Sequence, residues 1–481
     1  MSIEFSKKLT AHETPIPGVV LYDLPVHGDN RGWFKENWQR EKMVALGLPD
    51  FRPVQNNISF NEKAGTTRGI HAEPWDKFIS VATGRIFGAW VDLREGPSFG
   101  AVFTAEMDAS QAIFIPRGVG NAFQTLEDNT AYTYLVNDHW SADAQGQYTF
   151  LNLADETAAI GWPVPLEEAE LSDKDKAHPR LADVVPMPAK KILVVGADGQ
   201  LGKALREQYD GDATVEFAGR AGFDLCSEAS FAERNWKNYS TIINAAAYTA
   251  VDAAETAEGR AAAWAVNVAA VARLARTAVD HDLTLVHVSS DYVFDGARES
   301  HNETEPFTPL GVYGQTKAAG DAVVSVVPRH YIVRTSWVIG EGNNFVRTMA
   351  SLAGRGIEPS VVNDQIGRLS FTTDIAAGID HLLRSGAPYG TYNLTSDGPE
   401  QSWADIAADV YELSGASRES VSGVSTTEYF ADRPAAPRPL NSTLDLRKIK
   451  DTGYLPHESI HRLTDYVRGL VLESVQMQRN G

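Results

Sequence analysis

Up to about residue 180 the chain is a succession of short apolar-rich runs separated by turns. Phe78 to Ala82 is followed by Thr-Gly-Arg, and then come Ile86 to Val91, Ala101 to Ala105, Ala112 to Ile115 and Tyr132 to Val136. Runs of this length, divided by Gly, Asp and Asn, predict the strands of an all-β sandwich or barrel. Near residue 180 the pattern changes. Ser172 to Ala189 is charged and then rich in proline and small residues, which predicts one domain over 1–180, a linker over 181–189 and a second domain over 190–481.

The second domain opens on Lys191 to Val195, a continuous apolar run of the kind that marks a strand buried on both faces. Helix-compatible stretches then alternate with similar runs at Thr241 to Asn244, Leu283 to Val288 and Tyr331 to Val333. This βαβ order predicts a parallel sheet with helices on both faces.

At 481 residues the chain is too long for one ordinary domain, and 43% hydrophobic with 22% charged residues is a globular composition. One cysteine, Cys226, excludes an intrachain disulfide and any cysteine-rich metal site. The first eight residues lack the apolar core of a signal peptide and no run approaches eighteen apolar residues, so a cytoplasmic protein with no membrane contact is expected. A formal charge of −20 argues against a nucleic-acid partner, which would need clustered basic residues. An acidic chain can still bind an anionic nucleotide through a few local arginines and backbone amides.

The Lys191–Val195 strand runs into Gly196-Ala-Asp-Gly199-Gln200-Leu201-Gly202 and then a helix-compatible Lys-Ala-Leu-Arg-Glu-Gln. Glycines so placed permit a tight turn, close approach of a pyrophosphate and close packing of helix on strand, with the phosphates at the helix N-terminus. The next strand, Thr214 to Phe217, ends in Ala218-Gly219-Arg220, where an NAD-specific site would usually carry an acid. Space and positive charge there suit a 2′-phosphate, so NADPH is the expected cofactor, with NADH as the alternative; an arginine in an exposed turn is the plainer reading. Asp224, Ala245, Ala246 and Ala247 are the remaining candidate cofactor contacts.

Tyr313-Gly-Gln-Thr-Lys317 places a phenol and an ammonium on one helix face. The lysine is expected to lower a phenol pKa that is otherwise about 10, so that the tyrosine exchanges a proton with a carbonyl oxygen. Such a pair is also common on helix surfaces. Val286-His-Val-Ser289-Ser290, at the end of a buried strand, adds a hydroxyl where open α/β sheets carry catalytic groups.

The Gly196–Gly202 turn, Asn244-Ala-Ala-Ala-Tyr-Thr-Ala-Val-Asp252, Asn267, Ser289 to Gly296, Tyr313 to Lys317, Arg334-Thr-Ser-Trp337, Asp364-Gln-Ile-Gly-Arg368 and Arg433-Pro-Ala-Ala-Pro-Arg438 together resemble dTDP-4-dehydrorhamnose reductase along nearly all of 190–481. The resemblance implies a Rossmann fold with a small substrate-binding subdomain, and NAD(P)H-dependent reduction of C4 of a 4-keto nucleotide sugar. It gives Tyr313 the role of acid and Lys317 that of tuning it. Ser290, where the family usually has threonine, would orient the substrate oxygen. Trp337 and Arg368 fall in segments that line the sugar-nucleotide pocket.

The first domain says less on its own. A lone histidine such as His71 is more often structural than catalytic, and Ile115 to Asn121 offers no second histidine, so no metal is expected. Asp29-Asn-Arg31-Gly-Trp-Phe34-Lys-Glu36, Val54-Gln55-Asn-Asn57, Arg68-Gly-Ile-His71, Val91-Asp-Leu-Arg94, Phe114-Ile-Pro-Arg-Gly and Leu171-Ser-Asp-Lys174-Asp175 resemble dTDP-4-dehydrorhamnose 3,5-epimerase over about 15–180. That resemblance implies a cupin-like jelly roll in which a His71/Asp175 dyad is the base. Arg31, Arg68 and Lys77 are then candidates for phosphate or enolate contact, with Gln55, Asn57, Glu36 and Tyr134 as further substrate contacts. Three positions depart from the family: His139, which could still donate the proton, aligns with its acid tyrosine, Asn121 with a histidine, and Gly88 with an aspartate.

Two resemblances in pathway order imply a bifunctional, homodimeric enzyme of dTDP-L-rhamnose biosynthesis. The alternative is a 4-ketosugar-nucleotide reductase whose first domain is a silent or single-carbon epimerase used for binding or dimerisation. A regulatory binder without activity is a third reading, weakened by the intact Ser290, Tyr313 and Lys317 set.

Overall fold

The computed structural model describes residues 5–140, 146–432 and 434–480, so Arg433 of the motifs above lies outside the described residues. The chain forms two compact units, Met1–Ala189 and Lys190–Gly481.

The first unit contains β1 (Thr10–Glu13), β2 (Val20–Asp23), β3 (Val26–Asp29), β4 (Gly32–Lys35), β5 (Gln55–Asn61), β6 (Thr67–Ala72) and β7 (Lys77–Thr83). These are followed by β8 (Ile86–Asp92), β9 (Val102–Met107), β10 (Gln111–Ile115), β11 (Val119–Thr125), β12 (Thr130–Val136) and β13 (Thr149–Phe150). One sheet has the order β1-β2-β10-β7-β12-β5 and the other β13-β6-β11-β8-β9, while β3 and β4 pair as a separate hairpin. Ile79, Val81, Trp90, Ile113, Phe123 and Tyr132 fill a core shared by both sheets. β11 is buried at all seven positions, as befits a strand with neighbours on both sides. β5 lies at an edge and alternates: Asn56, Ile58 and Phe60 are exposed, and the residues between them are covered.

The segment 181–189 is not the linker expected from its composition. Leu181, Val184 and Met187 are buried with Val91 and Leu93 in a second core of the first unit, and Met187 bridges to Arg94. Three apolar residues at a spacing of three anchor the strap, and the surrounding prolines and charges mask them in a composition profile.

The second unit is mixed α/β. β14 (Lys191–Val195), β15 (Val215–Ala218), β16 (Tyr239–Asn244), β17 (Thr284–Ser290), β18 (His330–Thr335) and β19 (Gly390–Asn393) form a parallel sheet in the order β15-β14-β16-β17-β18-β19. Successive residues of β14 enter opposite cores, Leu193 and Val195 on one face and Val194 on the other, which explains its unbroken apolar run. A further core gathers Ile339, Val346, Phe371, Ile406, Val410 and Leu463 around the helices Phe345–Gly354 and Trp403–Leu413. The strand order reverses between β14 and β16, leaving a crevice beyond their carboxyl ends. No helix among the described residues is long and apolar enough to cross a membrane.

Candidate active sites

In the first unit β5, β6, β7, β11, β12 and β13 enclose a cavity of about 1140 Å3, closed on one side by the chain from Glu170 to His178. β6 delivers His71, held opposite Asn121 of β11. His71 Nε2 stands 2.9 Å from Asp175 Oδ1. Asp175 lies on the short helix Asp173–Lys176, whose N-cap Ser172 accepts from its backbone amide. Burial alone would raise the Asp175 carboxyl, but the hydrogen bond and charge of His71 hold it below the usual carboxylate range.

Across the cavity, Lys77 contacts Glu73 and lies 5.1 Å from the centre of the Tyr134 ring. Burial pushes the Lys77 ammonium down to about 7. Burial also raises the Tyr134 phenol, with the charge of Arg68 acting against it. Tyr132 and Tyr148 line the same space, and burial carries Tyr148 up to about 12.

His71, Asp175, Arg68, Lys77 and Tyr134 are thus gathered at one cavity, and other candidates are not. His139 is exposed in the turn that leaves β12 and does not line the cavity. Arg31 is 84% exposed on the β3–β4 hairpin and pairs with Asp29. Glu36 pairs with Lys42 at the surface. Gln55 and Asn57 bond each other on β5, outside the lining. His178 was not foreseen: its Nε2 is 3.9 Å from Asp175 Oδ1, and its ring centre is 5.3 Å from that of His71.

The departures at Gly88 and Asn121 belong to one arrangement. Asn121 Oδ1 accepts from Trp90 Nε1 at 3.0 Å and from the Tyr132 hydroxyl at 3.1 Å. A Cβ on Gly88 would collide with the Trp90 ring. The indole thus occupies space that a larger residue at 88 would need, and its N–H is satisfied by the residue at 121.

In the second unit the turn after β14 leads into the helix Gln200–Gln208, with Gly199 as N-cap. Gly196 has φ +79°, and a Cβ there would lie 2.6 Å from Ala246 N; a Cβ on Gly202 would collide with the Gly196 carbonyl oxygen. Gly196, Gly199, Gln200, Leu201 and Gly202 therefore share a tight cradle with Ala245 and Ala246, and Ala247 follows in the same loop after β16. Arg220, beyond β15, is 88% exposed and 4.0 Å from Asp224. Asp198 packs against Gly219 beside it.

Ser290 ends β17, and its hydroxyl donates to Asp291 Oδ1 at 2.9 Å. Tyr313 and Lys317 are buried on the helix Val312–Val324. Lys317 Nζ donates to the Val288 carbonyl at 2.7 Å, and burial pushes it down to about 8 against the pull of Asp321. Tyr313 departs from expectation: burial raises its phenol above the usual range, only partly offset by hydrogen bonding with Ser290. Desolvation of the buried phenolate dominates, and Lys317 is turned to a backbone carbonyl. Asp291, also buried, is pushed up to about 6.

Trp337 adopts φ +45° and stacks on Trp403 with ring centres 3.9 Å apart, a partner the sequence did not suggest. Arg368 donates to the Gly398 carbonyl at 2.8 Å and pairs with Glu400. Arg438 grips both oxygens of Asp252 at 2.9 Å, joining two of the motif segments.

A model of the family described as dTDP-4-dehydrorhamnose 3,5-epimerase matches residues 13–183, and one described as RmlD substrate binding domain matches 190–469. The first half is similar to the protein RmlC homolog of Streptococcus pyogenes, 50% identical over 39% of this chain and 98% of that protein. The second is similar to dTDP-4-dehydrorhamnose reductase of Aggregatibacter actinomycetemcomitans, 36% identical over 54% of this chain and 92% of that one. It also resembles the solved reductase of Bacillus anthracis in complex with NADP, at 31% identity and TM-score 0.54, covering 58% of this chain and 98% of that one. The chain belongs to the RmlD substrate binding domain family over 190–469, and its first half belongs to the dTDP-4-dehydrorhamnose 3,5-epimerase family.

Proposed function

We propose that the chain is a bifunctional enzyme of dTDP-L-rhamnose biosynthesis. Its first unit, a cupin-like jelly roll, epimerises dTDP-4-dehydro-6-deoxy-D-glucose at C3 and C5. Its second, a Rossmann fold with a small substrate-binding subdomain, reduces the C4 ketone. The observation that carries the reading is the His71–Asp175 pair inside a cavity that also holds Lys77 and Tyr134. That set favours an active epimerase over the silent alternative, with Tyr134 in place of His139 as the acid.

The 4-keto group acidifies the protons at C3 and C5. With its Nε2–H donated to Asp175, His71 has the lone pair of Nδ1 free to take one of them, and the carboxylate stabilises the resulting imidazolium. The Lys77 ammonium stabilises the enolate. Tyr134, kept protonated by burial, returns a proton to the opposite face and so inverts the carbon.

In the second unit the glycine cradle and helix N-terminus suit a pyrophosphate, and Arg220 suits a 2′-phosphate. NADPH bound there supplies a hydride. Ser290 hydrogen-bonds the C4 oxygen, Tyr313 donates its proton to that oxygen, and Lys317 stabilises the phenolate left behind. The high phenol pKa keeps this acid loaded at neutral pH.

A cytoplasmic homodimer completes the reading. Ile58 and Phe60, 69% and 57% exposed on the edge strand β5, are covered when a second copy packs there. Incubation of the full chain with dTDP-4-dehydro-6-deoxy-D-glucose and NADPH tests the proposal. NADPH is oxidised without added epimerase if both sites work, and absence of oxidation overturns the bifunctional reading.

A further inference from the structure

The epimerase mechanism leaves one histidine of the cavity idle. His178 directs Nε2 at the same Asp175 Oδ1 that His71 Nε2 meets, at 3.9 Å against 2.9 Å, and the three ligand atoms all lie within 4.8 Å of one another. Their carriers come from separate elements. His71 is fixed in β6, Asp175 on its short helix, and His178 by a ring stacked on Phe150 with centres 4.7 Å apart. Two imidazoles and a carboxylate on one wall of an open cavity are a donor set for a first-row divalent ion, with room for a water or an oxygen ligand on the cavity side. Ligand bonds of about 2.0–2.2 Å at tetrahedral angles set ligand atoms about 3.3–3.6 Å apart, so an ion would open the 2.9 Å pair and draw in the 3.9 Å pair, each by about half an ångström.

We propose that His71, Asp175 and His178 form a binding site for a divalent transition ion, Zn2+ above all, and that its occupancy switches epimerisation off. The switch rests on the reading of His71 as the base and follows from its two ring nitrogens. An ion on Nε2 replaces the hydrogen bond to Asp175, and the single proton of the neutral ring then sits on Nδ1. The nitrogen that would accept the substrate proton already carries one. The ion also takes the carboxylate that stabilises the imidazolium. The reductase site has no share in this cluster, so the same chain contains its own control.

The test uses the full chain and two readouts. Titration with Co2+, followed by its visible absorption and then displaced by Zn2+, measures binding without reference to activity. His178→Phe preserves the ring on Phe150 and removes the ligand nitrogen. It should abolish the Co2+ signal, or shift it at least about tenfold in concentration, since loss even of a supporting group costs a metal site 10–100-fold. Zn2+ should stop solvent deuterium entering C3 and C5, with a chelator restoring it, and should spare NADPH oxidation on pre-epimerised substrate. In His178→Phe, half-inhibition, measured against its own metal-free rate, should need at least about ten times more Zn2+. No stoichiometric binding, binding indifferent to His178→Phe, or equal inhibition of both activities overturns the proposal. Retained exchange in His71→Ala would instead overturn the base assignment, while the Co2+ titration would still decide whether the site exists.

Discussion

In the second unit the hydroxyl, phenol and ammonium come from one strand end and one helix, with Tyr313 and Lys317 a single turn apart. In the first unit His71 and Asp175 meet across 104 residues, and Tyr134 reaches the same cavity from another strand of a different sheet. A site assembled locally is written in consecutive letters. A site assembled by strand pairing exists only once the sheets have formed, and its members carry no mutual spacing. The two units therefore place the same kind of acid–base chemistry on opposite kinds of support.

The largest effects test whether the two sites are independent. Tyr313→Phe should cut NADPH oxidation of pre-epimerised substrate by about 10²–10⁴-fold and leave deuterium exchange untouched. His71→Ala should do the reverse, abolishing exchange at C3 and C5 while reduction continues. Either variant damaging both activities would break the comparison.

A smaller effect separates the two candidate acids. Tyr134→Phe should slow exchange by about 10²-fold, whereas His139→Ala should change it by less than about twofold. The opposite order would return the acid role to His139. Smaller again is the cofactor preference: Arg220→Ala should move the NADPH-to-NADH ratio of kcat/KM by about tenfold toward NADH, the scale of one exposed charge–phosphate contact. An unchanged ratio would remove Arg220 from the cofactor site.

The smallest effect is one of stability. Asp291 has a folded pKa of about 6, above its unfolded value, so the native state holds a proton that the unfolded state has lost between about pH 4 and pH 6. Stability from this group falls as pH rises through that window, by about 3 kcal/mol at most. Asp291→Asn removes the loss, so the difference in Tm between variant and parent should grow more positive from pH 4 to pH 7. A difference that stays flat would show that the carboxyl is ionised in the native state throughout.

The glycine turn, the Ser290 strand end and the Tyr313/Lys317 pair were legible because each is a run of neighbours whose geometry follows from helix or strand periodicity. Burial was not. The Tyr313 phenol is raised and Lys317 is tied to Val288, and both facts depend on the sheet beneath the helix. His139 lies off the cavity lining because β12 ends at Val136 and the following turn is exposed, which an alignment of neighbouring letters does not show. Arg31 and Glu36 were named from a motif, and neither lines the cavity: Arg31 pairs with Asp29 and Glu36 with Lys42. The strap 181–189 was read as a linker because three buried side chains weigh little in a composition profile. His178 gave no signal, since its role arises only when β13 brings Phe150 against it.

The Trp90, Asn121 and Gly88 arrangement has a consequence for how this sequence can drift. An aspartate at 88 meets the indole, and a histidine at 121 deprives that indole and the Tyr132 hydroxyl of their shared acceptor. Each single step toward the family's usual residues costs a clash or an orphaned buried donor, while a smaller residue at 90 relieves the clash and removes the indole donor. The three positions should behave as one hereditary unit, crossed together or not at all, with a double-mutant cycle far from additive.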